Sequence, residues 1–390
     1  MERDFYTSND VFDLERSAWL VKQWYLLAHS SEVADPGSFV VRDLLREPLL
    51  LARDATGTLR GFYNVCRHRG SRICDRDGHS NSIMCPYHGW TYRLDGSLRA
   101  AAALPEGADI SQLGLRPVPV REIDGLVLAS LKGDPRTLDA VQADLGPALR
   151  YHGIPDAHIA ARRSYATDAN WKLVMENYLE CYHCLPAHPE YSRVMRHVDA
   201  TRPGGEIAWK QAVEKWFRDQ ADPNSPFKFS DAAWRLPAEV QHYIRRAPIG
   251  DDRKTGSENG QPVAPLMGQQ TRFDGGFSSF TFQPFVALYA FNDHAVMLQF
   301  LPIGPESTDV ILTWLVGPSA SDTEVDVERM VWLWDMTMQQ DKIIVERNAA
   351  GVRSSSYSPG PYSLLERGPA ALIGNYLREF SAAIAEGTAN

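Results

Sequence analysis

A cysteine and a histidine stand close together at two places in the sequence, and this arrangement constrains the fold more than any other feature. Cys66 and His68 are separated by one residue, and Cys85 and His88 by two, so the whole pattern is C-x-H-x16-C-x-x-H. Thiolate and imidazole are both metal ligands. We therefore expect the fold to bring two loops together around a metal centre, with one cysteine and one histidine from each loop.

Two kinds of metal centre use two cysteines and two histidines. In a Rieske-type [2Fe–2S] cluster, two thiolates bind one iron and two imidazoles bind the other, which raises the reduction potential above that of an all-cysteine cluster. A structural Zn²⁺ site uses the same four ligands on one ion. Zinc fingers usually pair cysteine with cysteine and histidine with histidine along the chain, so the alternation here favours the Rieske centre. Gly70 and Gly89 follow the two pairs, and we expect the backbone to approach a neighbouring group closely there.

A second group of candidate ligands lies further along the chain. Residues 170–184 predict a helix that ends before Pro186. Glu180 and His183 are three residues apart, so they are expected on one face of that helix, and the chain can fold back after Pro186 to bring His188 beside His183. Two histidines and one carboxylate on one face of an iron leave positions open for O2 and substrate.

Other interpretations of this second group exist. A Glu-x-x-His sequence is most often a surface pair on a helix. Cys181, His183, Cys184 and His188 also have the residue types of a zinc site. The two cysteines flank His183 at positions that cannot all share its helical face, which weighs against zinc.

Residues 37–131 have the pattern of an all-β module. Short runs of β-branched and apolar residues alternate with turn signals such as Asp95-Gly96. A helix is predicted before the module, over Asp13–Leu27. The predicted strands are Ser38–Val41, Pro48–Arg53, Leu59–Val65, Ile83–Cys85, Thr91–Leu94 and Leu126–Leu131.

The remainder of the chain predicts an α+β domain. Consecutive antiparallel strands at Ser279–Phe291, Ala295–Leu301 and Asp309–Val316 precede a long helix over Val325–Asn348. Residues 248–276 are rich in Gly, Asp, Gln and Pro, which suggests a long surface loop or lid. The predicted organisation is a helical segment packing on the catalytic domain (1–36), an iron–sulfur domain (37–155) and the catalytic domain (156–390).

Composition and charge exclude several classes of protein. The formal net charge of −9 argues against a general nucleic-acid binder. No apolar run approaches the ~20 residues that cross a bilayer, and the start MERDFYTSND lacks the apolar segment of a signal peptide. Five cysteines, an odd number, do not indicate a disulfide scaffold and fit a reducing compartment; Cys74, outside the pattern, is expected to be a buried thiol. We therefore expect a cytoplasmic protein that binds neither nucleic acid nor membrane.

The motifs resemble a known family. CRHRG followed by CPYHGW, and the run NWKLVMENYLECYHCLPAHPEY, are similar to the motifs of Rieske-type non-haem iron oxygenase catalytic (alpha) subunits. The resemblance extends over nearly the whole chain. It implies a [2Fe–2S] cluster bound by Cys66, His68, Cys85 and His88, and an all-β Rieske domain followed by a helix-grip (START-like) catalytic domain with an antiparallel sheet and long helices.

The same resemblance implies a mononuclear Fe(II) site. His183 and His188 correspond to the two imidazole ligands, and Asp341 in QQDKIIVERN to the carboxylate ligand. Without the resemblance, Asp335 and Glu346 would be competing candidates for that carboxylate.

Glu180 has a separate role by this resemblance. Family members form head-to-tail homotrimers, in which an acidic residue connects the Rieske cluster of one subunit with the iron of the next. Many ring-hydroxylating members have Asp at this position, whereas this chain has Glu180. His88 is the expected partner of Glu180 on the cluster side.

Electrons must come from another protein. The chain has no G-x-G-x-x-G fingerprint after a strand, so it is not expected to bind a dinucleotide itself. The resemblance implies a flavin and iron–sulfur reductase that uses NAD(P)H as the electron donor, with O2 and a small molecule as substrates. An alternative of another class, a non-catalytic Rieske electron carrier, would not need the second His/His/Asp set.

The expected substrate also follows from resemblance. ENYLECYHC and the ending GVRSSSYSPGPYSLLERG are similar to the branch that oxidises quaternary ammonium compounds such as glycine betaine, proline betaine, carnitine or choline. Hydroxylation of an N-methyl group there leads to N-demethylation and formaldehyde. The alternative is an aromatic acid or ring, with cis-dihydroxylation or O-demethylation. Aromatic side chains bind such cations, and the candidates for the pocket, each of which could instead be a core residue, are Tyr182, Phe280, Phe282, Tyr289 and Trp314.

Overall fold

The chain forms two compact units. The computed structural model describes residues 1–227, 242–250, 252–282, 284–321 and 323–388. The smaller unit is Val21–Asp139, and the larger combines Met1–Leu20 with Ala140–Asn390. The domain boundaries expected from sequence, after residues 36 and 155, differ from these bounds. The reason is that the strand at Tyr25–His29 pairs with Leu126–Ala129 inside the smaller unit.

The smaller unit consists of short antiparallel strands. They are β1 (Tyr25–His29), β2 (Ser38–Leu44), β3 (Glu47–Arg53), β4 (Leu59–Tyr63), β5 (Gly78–His79), β6 (Ser82–Met84), β7 (Thr91–Arg93), β8 (Leu98–Ala100), β9 (Val120–Ile123) and β10 (Leu126–Ala129). They form sheets of order β1-β10-β9, β4-β3-β2-β5 and β6-β7-β8. A core that includes Leu50, Phe62 and Tyr92 also contains Cys66 and Cys85, so the fold anchors one ligand of each pair.

Each strand predicted for this module overlaps one that the structure contains, whereas β1, β5, β8 and β9 were missed. The chain begins with two helices, α1 (Asp4–Thr7) and α2 (Asn9–Ala18). The helix predicted over Asp13–Leu27 is therefore wrong beyond Ala18, where α2 ends. All five residues of β1 are buried. A run that is apolar on every side fits a doubly covered strand as well as a helix, and its pairing with β10 decides for the strand.

The larger unit is a sheet with helices packed on it. Its strands are β11 (His158–Thr167), β12 (His242–Pro248), β13 (Gly276–Phe282), β14 (Val286–Ala290), β15 (His294–Gly304) and β16 (Ser307–Val316). Its further helices are α3 (Asp139–Tyr151), α4 (Trp171–Tyr178), α5 (Cys184–Ala187), α6 (Pro189–Val194), α7 (Gly205–Asp219), α8 (Val327–Val352) and α9 (Arg367–Thr388). The strands form one antiparallel sheet of order β11-β16-β15-β14-β13-β12. α8 packs along β11, and α4 packs on β15 and β16.

The sequence predicted part of this sheet. Two of the predicted strands lie within β15 and β16, and the long predicted helix is α8. The strand predicted over Ser279–Phe291 is wrong, because it spans the hairpin of β13 and β14, in which Ser278 pairs with Ala290. Pro284 between the two strands was the signal of a chain reversal.

The segment between β12 and β13 was predicted to be a surface loop or lid. The described residues of this segment contain no helix or strand, which agrees with a loop. Its side chains, however, include fully buried Thr255 and Ser257, and the Val263 N–H donates to Asp293 Oδ2 at 2.9 Å. The lid interpretation is therefore wrong for these residues, because internal hydrogen bonds hold the loop in the core.

An internal ion pair connects the N-terminal helix α2 to the rest of the larger unit. Lys172 Nζ on α4 lies 2.7 Å from Glu15 Oε1 on α2, and both side chains are fully buried. The Glu15 carboxylate also accepts hydrogen bonds from Trp171 Nε1 and the Tyr376 hydroxyl. Among the described residues, no helix is long and apolar enough to cross a bilayer.

Candidate metal centres

Each Cys–His pair of the smaller unit lies in a tight turn that a glycine closes. The Gly70 N–H donates to the Cys66 carbonyl at 3.0 Å, and the Gly89 N–H to the Cys85 carbonyl at 3.1 Å. The two glycines have φ of +78° and +72°, which residues with a Cβ rarely adopt. Apart from adjoining residues, no described heavy atom lies within 4 Å of an added Cβ. The positive φ by itself therefore accounts for both glycines.

The two thiols lie inside the unit and the two imidazoles at its surface. Cys66 and Cys85 are buried, whereas His68 and His88 are exposed, with ring centroids 4.6 Å apart. Burial raises the pKa of the Cys85 thiol, but hydrogen bonds from the Tyr87 backbone and from Cys66 outweigh it and hold the pKa below its usual value. The surroundings thus favour the thiolate, which is the form that binds metal.

Tyr92 supports the first turn from the core. Its hydroxyl oxygen accepts from the Arg67 N–H at 3.0 Å and lies 3.3 Å from Cys66 Sγ. The phenolic proton can therefore be donated to the sulfur, and hydrogen bonds to cluster sulfurs tune the reduction potential. Sequence reasoning missed Tyr92, which stands 26 positions from Cys66.

These four ligands do not suit a single ion. Zn²⁺ holds its donors at about 2.0–2.3 Å, which brings all four within about 4 Å of one another. Among the described residues, the one group of three or more possible ligands with atoms within 4.8 Å lies elsewhere, in the larger unit. In the smaller unit the thiols contact each other and the imidazoles contact each other. This division into two pairs fits a Rieske [2Fe–2S] cluster.

The second centre is built on a turn rather than on one helix. The helix predicted over residues 170–184 is wrong after Tyr178, where α4 ends. Glu180 and His183 nevertheless contact each other, because Glu180 closes the turn: its Oε2 accepts from the N–H of Tyr182 and of His183. This carboxylate satisfies backbone donors that a continuing helix would otherwise have bonded.

The turn and α8 bring together His183, His188 and Asp341. His188 Nε2 lies 3.0 Å from Asp341 Oδ1, and His183 Nε2 lies 3.4 Å from the same oxygen. All three side chains are mostly buried, and their ligand atoms lie within 4.8 Å of one another. This is the two-histidine, one-carboxylate set of non-haem iron sites.

The competing carboxylates lie away from this group. Asp335 accepts from the Tyr165 hydroxyl at 2.5 Å and from Gln339 at 2.8 Å. Glu346 is engaged by Lys342 and by the Asp168 N–H. Neither carboxylate is in the convergent group, so Asp341 is the acidic residue that the geometry favours.

Both histidines are oriented through their second ring nitrogen. His183 Nδ1 lies 2.5 Å from Glu180 Oε1, and His188 Nδ1 lies 2.9 Å from Gln340 Oε1. A carboxylate or amide oxygen can only accept, so each Nδ1 carries a proton, and in the neutral form that binds metal each Nε2 directs its lone pair towards Asp341. Three acceptor atoms that converge in this way attract a cation, and the residues present fit a divalent metal ion.

The charged groups around His183 also favour a cation at this site. Burial lowers the pKa of the His183 imidazole, but hydrogen bonds to Asp341 and Glu180 and the charges of these carboxylates outweigh it and raise the pKa to about 9. Burial raises the pKa of Asp341, but hydrogen bonds from His183 and His188 outweigh it and hold the pKa below its usual value. The pocket therefore stabilises positive charge.

Sequence reasoning missed two amides beside the triad. Gln340 joins His188 to Glu190, to whose Oε2 it donates at 2.8 Å. The Asn177 side-chain amide lies 3.3 Å from His183 Nε2. The importance of both amides depends on their contacts with the histidines, which spacing along the chain does not predict.

The cysteines near His183 are not available as metal ligands. Cys181 and Cys184 form a disulfide, which removes the zinc interpretation, since zinc binds thiolates. A disulfide does not fit the reducing compartment that the odd number of cysteines led us to expect. Cys74 is free but only partly buried, and burial raises the pKa of its thiol to about 11.

The aromatic residues predicted as candidates for the substrate pocket do not all lie on the same face of the sheet. Side chains alternate along a strand, so Phe280 and Phe282 point to the face opposite Tyr289, whose partner on β13 is Ser279. Tyr182 is half exposed, and Trp314 is fully buried. Tyr289 faces α8, where its ring centroid is 4.3 Å from that of Trp334.

Comparison with known proteins assigns both units. Residues 23–119 match the family described as Rieske [2Fe-2S] domain, and residues 154–379 match that described as ring hydroxylating alpha subunit (catalytic domain). The second match covers more than half of the chain. The chain belongs to the Rieske oxygenase alpha subunits.

This Rieske oxygenase alpha subunit has close relatives of known name. It is 33% identical to the glycine betaine monooxygenase oxygenase subunit of Chromohalobacter salexigens, over 93% of this chain and 81% of the relative. It is 38% identical over 194 residues to the carnitine monooxygenase oxygenase subunit of Escherichia coli K12, which covers 48% of this chain and 52% of the relative. A solved quaternary ammonium Rieske monooxygenase matches with a TM-score of 0.72 at 23% identity, over 97% of this chain and 94% of that chain, and shows the common fold.

These findings confirm the predicted class. The Rieske domain and the α+β catalytic domain are present, and the chain is a Rieske non-haem iron oxygenase. The family carries a [2Fe–2S] cluster and a mononuclear iron, so both predicted cofactors are confirmed at that level. The named relatives are oxygenase subunits, which indicates enzymes of more than one component.

Proposed function

We propose that this protein hydroxylates an N-methyl group of a small quaternary ammonium compound. The relatives named for glycine betaine and carnitine support this substrate class. For a trimethylammonium substrate, O2, two electrons and two protons convert one N–CH3 group to N–CH2OH and form one water. The carbinolamine then releases formaldehyde and a proton and leaves the dimethylamine. The electrons come from NAD(P)H through a flavin and iron–sulfur reductase, which we place with the enzyme in the cytoplasm.

The observation that carries the proposal is the convergence of His183, His188 and Asp341 on one point. We propose that these side chains hold the mononuclear iron, which activates O2 with electrons that the cluster supplies. Glu180 and Gln340 keep the two imidazoles in the tautomer that presents Nε2. A two-histidine, one-carboxylate set would leave positions on a bound iron open for O2 and substrate.

Cys66, Cys85, His68 and His88 are the proposed ligands of the cluster. The exposure of both imidazoles suits electron entry and exit at that end, because electron transfer weakens with distance through protein. We further propose that the chain forms a homotrimer in which Glu180 couples His183 to His88 of the partner subunit. The hydrogen bond between Glu180 and His183 Nδ1 within one chain supports this proposal.

A substrate screen tests the proposed function. The purified enzyme, an exogenous reductase and NADH are supplied with glycine betaine, proline betaine, carnitine, choline or a panel of benzoates. We expect one formaldehyde per O2 consumed with at least one quaternary amine and no product with benzoates. Coupled product formation with an aromatic acid, and none with any quaternary amine, would overturn the proposal and assign the enzyme to aromatic oxidation.

A further inference from the structure

Two adjacent arginines on β12 have opposite surroundings. Arg246 is buried on one face of the sheet, where its guanidinium lies 2.8 Å from Asp274 Oδ2 and donates to Ser278 at 3.1 Å. Arg245 points to the other face, because side chains alternate along a strand. Its partner on β13 is Ser279, whose partner on β14 is Tyr289. Arg245 therefore shares the face that Tyr289 presents to α8.

The side chain of Arg245 has no hydrogen-bond or ion-pair partner in the described parts of the chain. Its Nε is buried and unbonded, and so is the Oγ of the neighbouring Ser279. The Arg245 guanidinium lies over the Phe277 ring, whose centroid is 5.6 Å from Cζ. Buried donors of a charged group are costly to leave unbonded. A guanidinium whose donors are unbonded can bind an anion that offers two acceptor oxygens.

A row of aromatic rings leads from the triad to this arginine. We call it the aromatic wall, and its members are Tyr191, Trp334, Tyr289 and Phe277. Successive ring centroids are 6.3 Å apart for His188 and Tyr191, 5.7 Å for Tyr191 and Trp334, 4.3 Å for Trp334 and Tyr289, and 6.3 Å for Tyr289 and Phe277. The wall thus begins at a triad histidine and ends beneath the Arg245 guanidinium.

Both ends of the wall act on one of its side chains. Burial raises the pKa of the Tyr289 phenol to about 12, the Asp341 carboxylate contributes to the rise, and the Arg245 guanidinium opposes it. Tyr289 therefore lies close enough to both the negative triad end and the positive Arg245 end to be affected by each.

We propose that Arg245 binds the carboxylate of the substrate and makes the enzyme select betaine-type zwitterions over amino alcohols. This inference rests on the proposed function and narrows it. The methyl group to be hydroxylated must lie beside the triad, and its cationic nitrogen then faces aromatic rings, which attract it. A carboxylate at the other end of the same molecule meets the guanidinium, whereas the hydroxyl of choline offers no charge there.

The first test compares glycine betaine with choline in the complete enzyme with reductase. Arg245→Met keeps an unbranched side chain and removes the charge. We expect kcat/KM for glycine betaine to fall about 100-fold, the loss expected for hydrogen bonds to a charged group, and kcat/KM for choline to change less than about threefold. Arg163→Met, an exposed arginine on β11 of the same sheet, is the control and should leave both values unchanged.

Two further measurements separate recognition from folding. Arg245→Lys should retain part of the preference for glycine betaine, because it restores the charge without the fork of donors. Guanidinium ions added to Arg245→Ala should restore glycine betaine turnover at least tenfold over potassium at equal ionic strength, with no effect on choline. Binding of glycine betaine followed by Trp334 fluorescence should weaken in Arg245→Met to the same extent as kcat/KM.

The outcomes distinguish this inference from the proposed function. If the wild-type enzyme turns over no quaternary amine, the proposed function itself fails. If it turns over glycine betaine and Arg245→Met does so equally well, or loses choline to the same degree, Arg245 is not the carboxylate-binding residue and the proposed function stands. A wild-type preference for choline over glycine betaine would also overturn the inference alone.

Discussion

Asp341 Oδ1 lies 3.0 Å from His188 Nε2, although the two residues are 153 positions apart in the chain. The contact depends on α8 reaching across the larger unit to the turn between α5 and α6. Each partner also has a support of its own: Gln340 holds His188 Nδ1, and His183 approaches the same carboxylate oxygen. An iron at this point would therefore depend on residues that are not its ligands.

Gln340 tests that dependence. Gln340→Leu removes the acceptor of His188 Nδ1 and the link to Glu190, so the imidazole loses its orientation. We expect affinity for Fe²⁺ at the triad to fall roughly 10- to 100-fold, as for other groups that orient metal ligands, while the visible spectrum of the cluster stays unchanged. Gln339→Leu, the exposed neighbour on the same helix, is the matched control. Equal iron affinity in both variants would contradict the assignment.

Glu180 should act in coupling and not as an iron ligand. Glu180→Gln keeps the size of the side chain and an acceptor oxygen for His183 Nδ1, but removes the charge. We expect both metals to remain bound, as measured by metal analysis and EPR, while steady-state turnover falls at least tenfold, within the range for groups that orient ligands. Loss of the mononuclear iron from this variant would make Glu180 a ligand and reopen the assignment of Asp341.

The cluster ligands can be tested through the reduction potential. His88→Cys replaces a neutral imidazole at the exposed end with a thiolate, and added negative charge disfavours the reduced cluster. We expect the cluster to be retained with a potential more than about 100 mV lower, since all-cysteine clusters lie hundreds of millivolts below Rieske centres. Redox titration followed by EPR gives this value. Stoichiometric zinc and no cluster in wild-type protein prepared without air or chelators would contradict the assignment.

The buried pair of Lys172 and Glu15 should stabilise the attachment of the N-terminal helix. Lys172→Met leaves the Glu15 carboxylate buried beside Tyr376 and Trp171 without its cation. We expect the free energy of unfolding to fall by about 3–5 kcal/mol, the cost of breaking a buried ion pair. Adding Glu15→Gln should recover more than half of that loss. Urea unfolding of the single and double variants measures the coupling, and a loss below about 1 kcal/mol would show that the pair is dispensable.

Local spacing was sufficient to single out the two Cys–His pairs of the smaller unit and the pair His183 and His188 as candidate ligands, because the residues of each pair are near neighbours in the chain. Spacing alone could not choose Asp341 over Asp335 or Glu346, since all three lie on one helix. The choice depends on how that helix packs against a distant turn. The resemblance to a family supplied this information, and the contacts of the competing carboxylates agree with it.

The fold class was also predictable from local sequence patterns, but the exact bounds and pairing of several strands were not. Alternating runs indicated most strands of the smaller unit, but the start of β1 was assigned to a helix because a fully buried strand shows no alternation of apolar and polar residues. The hairpin of β13 and β14 appeared as one strand because both halves are rich in strand-forming residues. Arg245 could not be distinguished from Arg246 by sequence, since their different roles depend on which face of β12 each occupies.

A single-turnover experiment tests the central claim most directly. The enzyme is reduced at both metal centres, the reductant is removed, and the protein is mixed with O2 and glycine betaine without a reductase. The account predicts about one formaldehyde and one dimethylglycine per oxidised mononuclear site, with oxidation of the cluster in step, and neither product from a variant with Asp341→Ala. Cluster oxidation without formaldehyde in the wild-type enzyme, for glycine betaine and for every other quaternary amine, would contradict it.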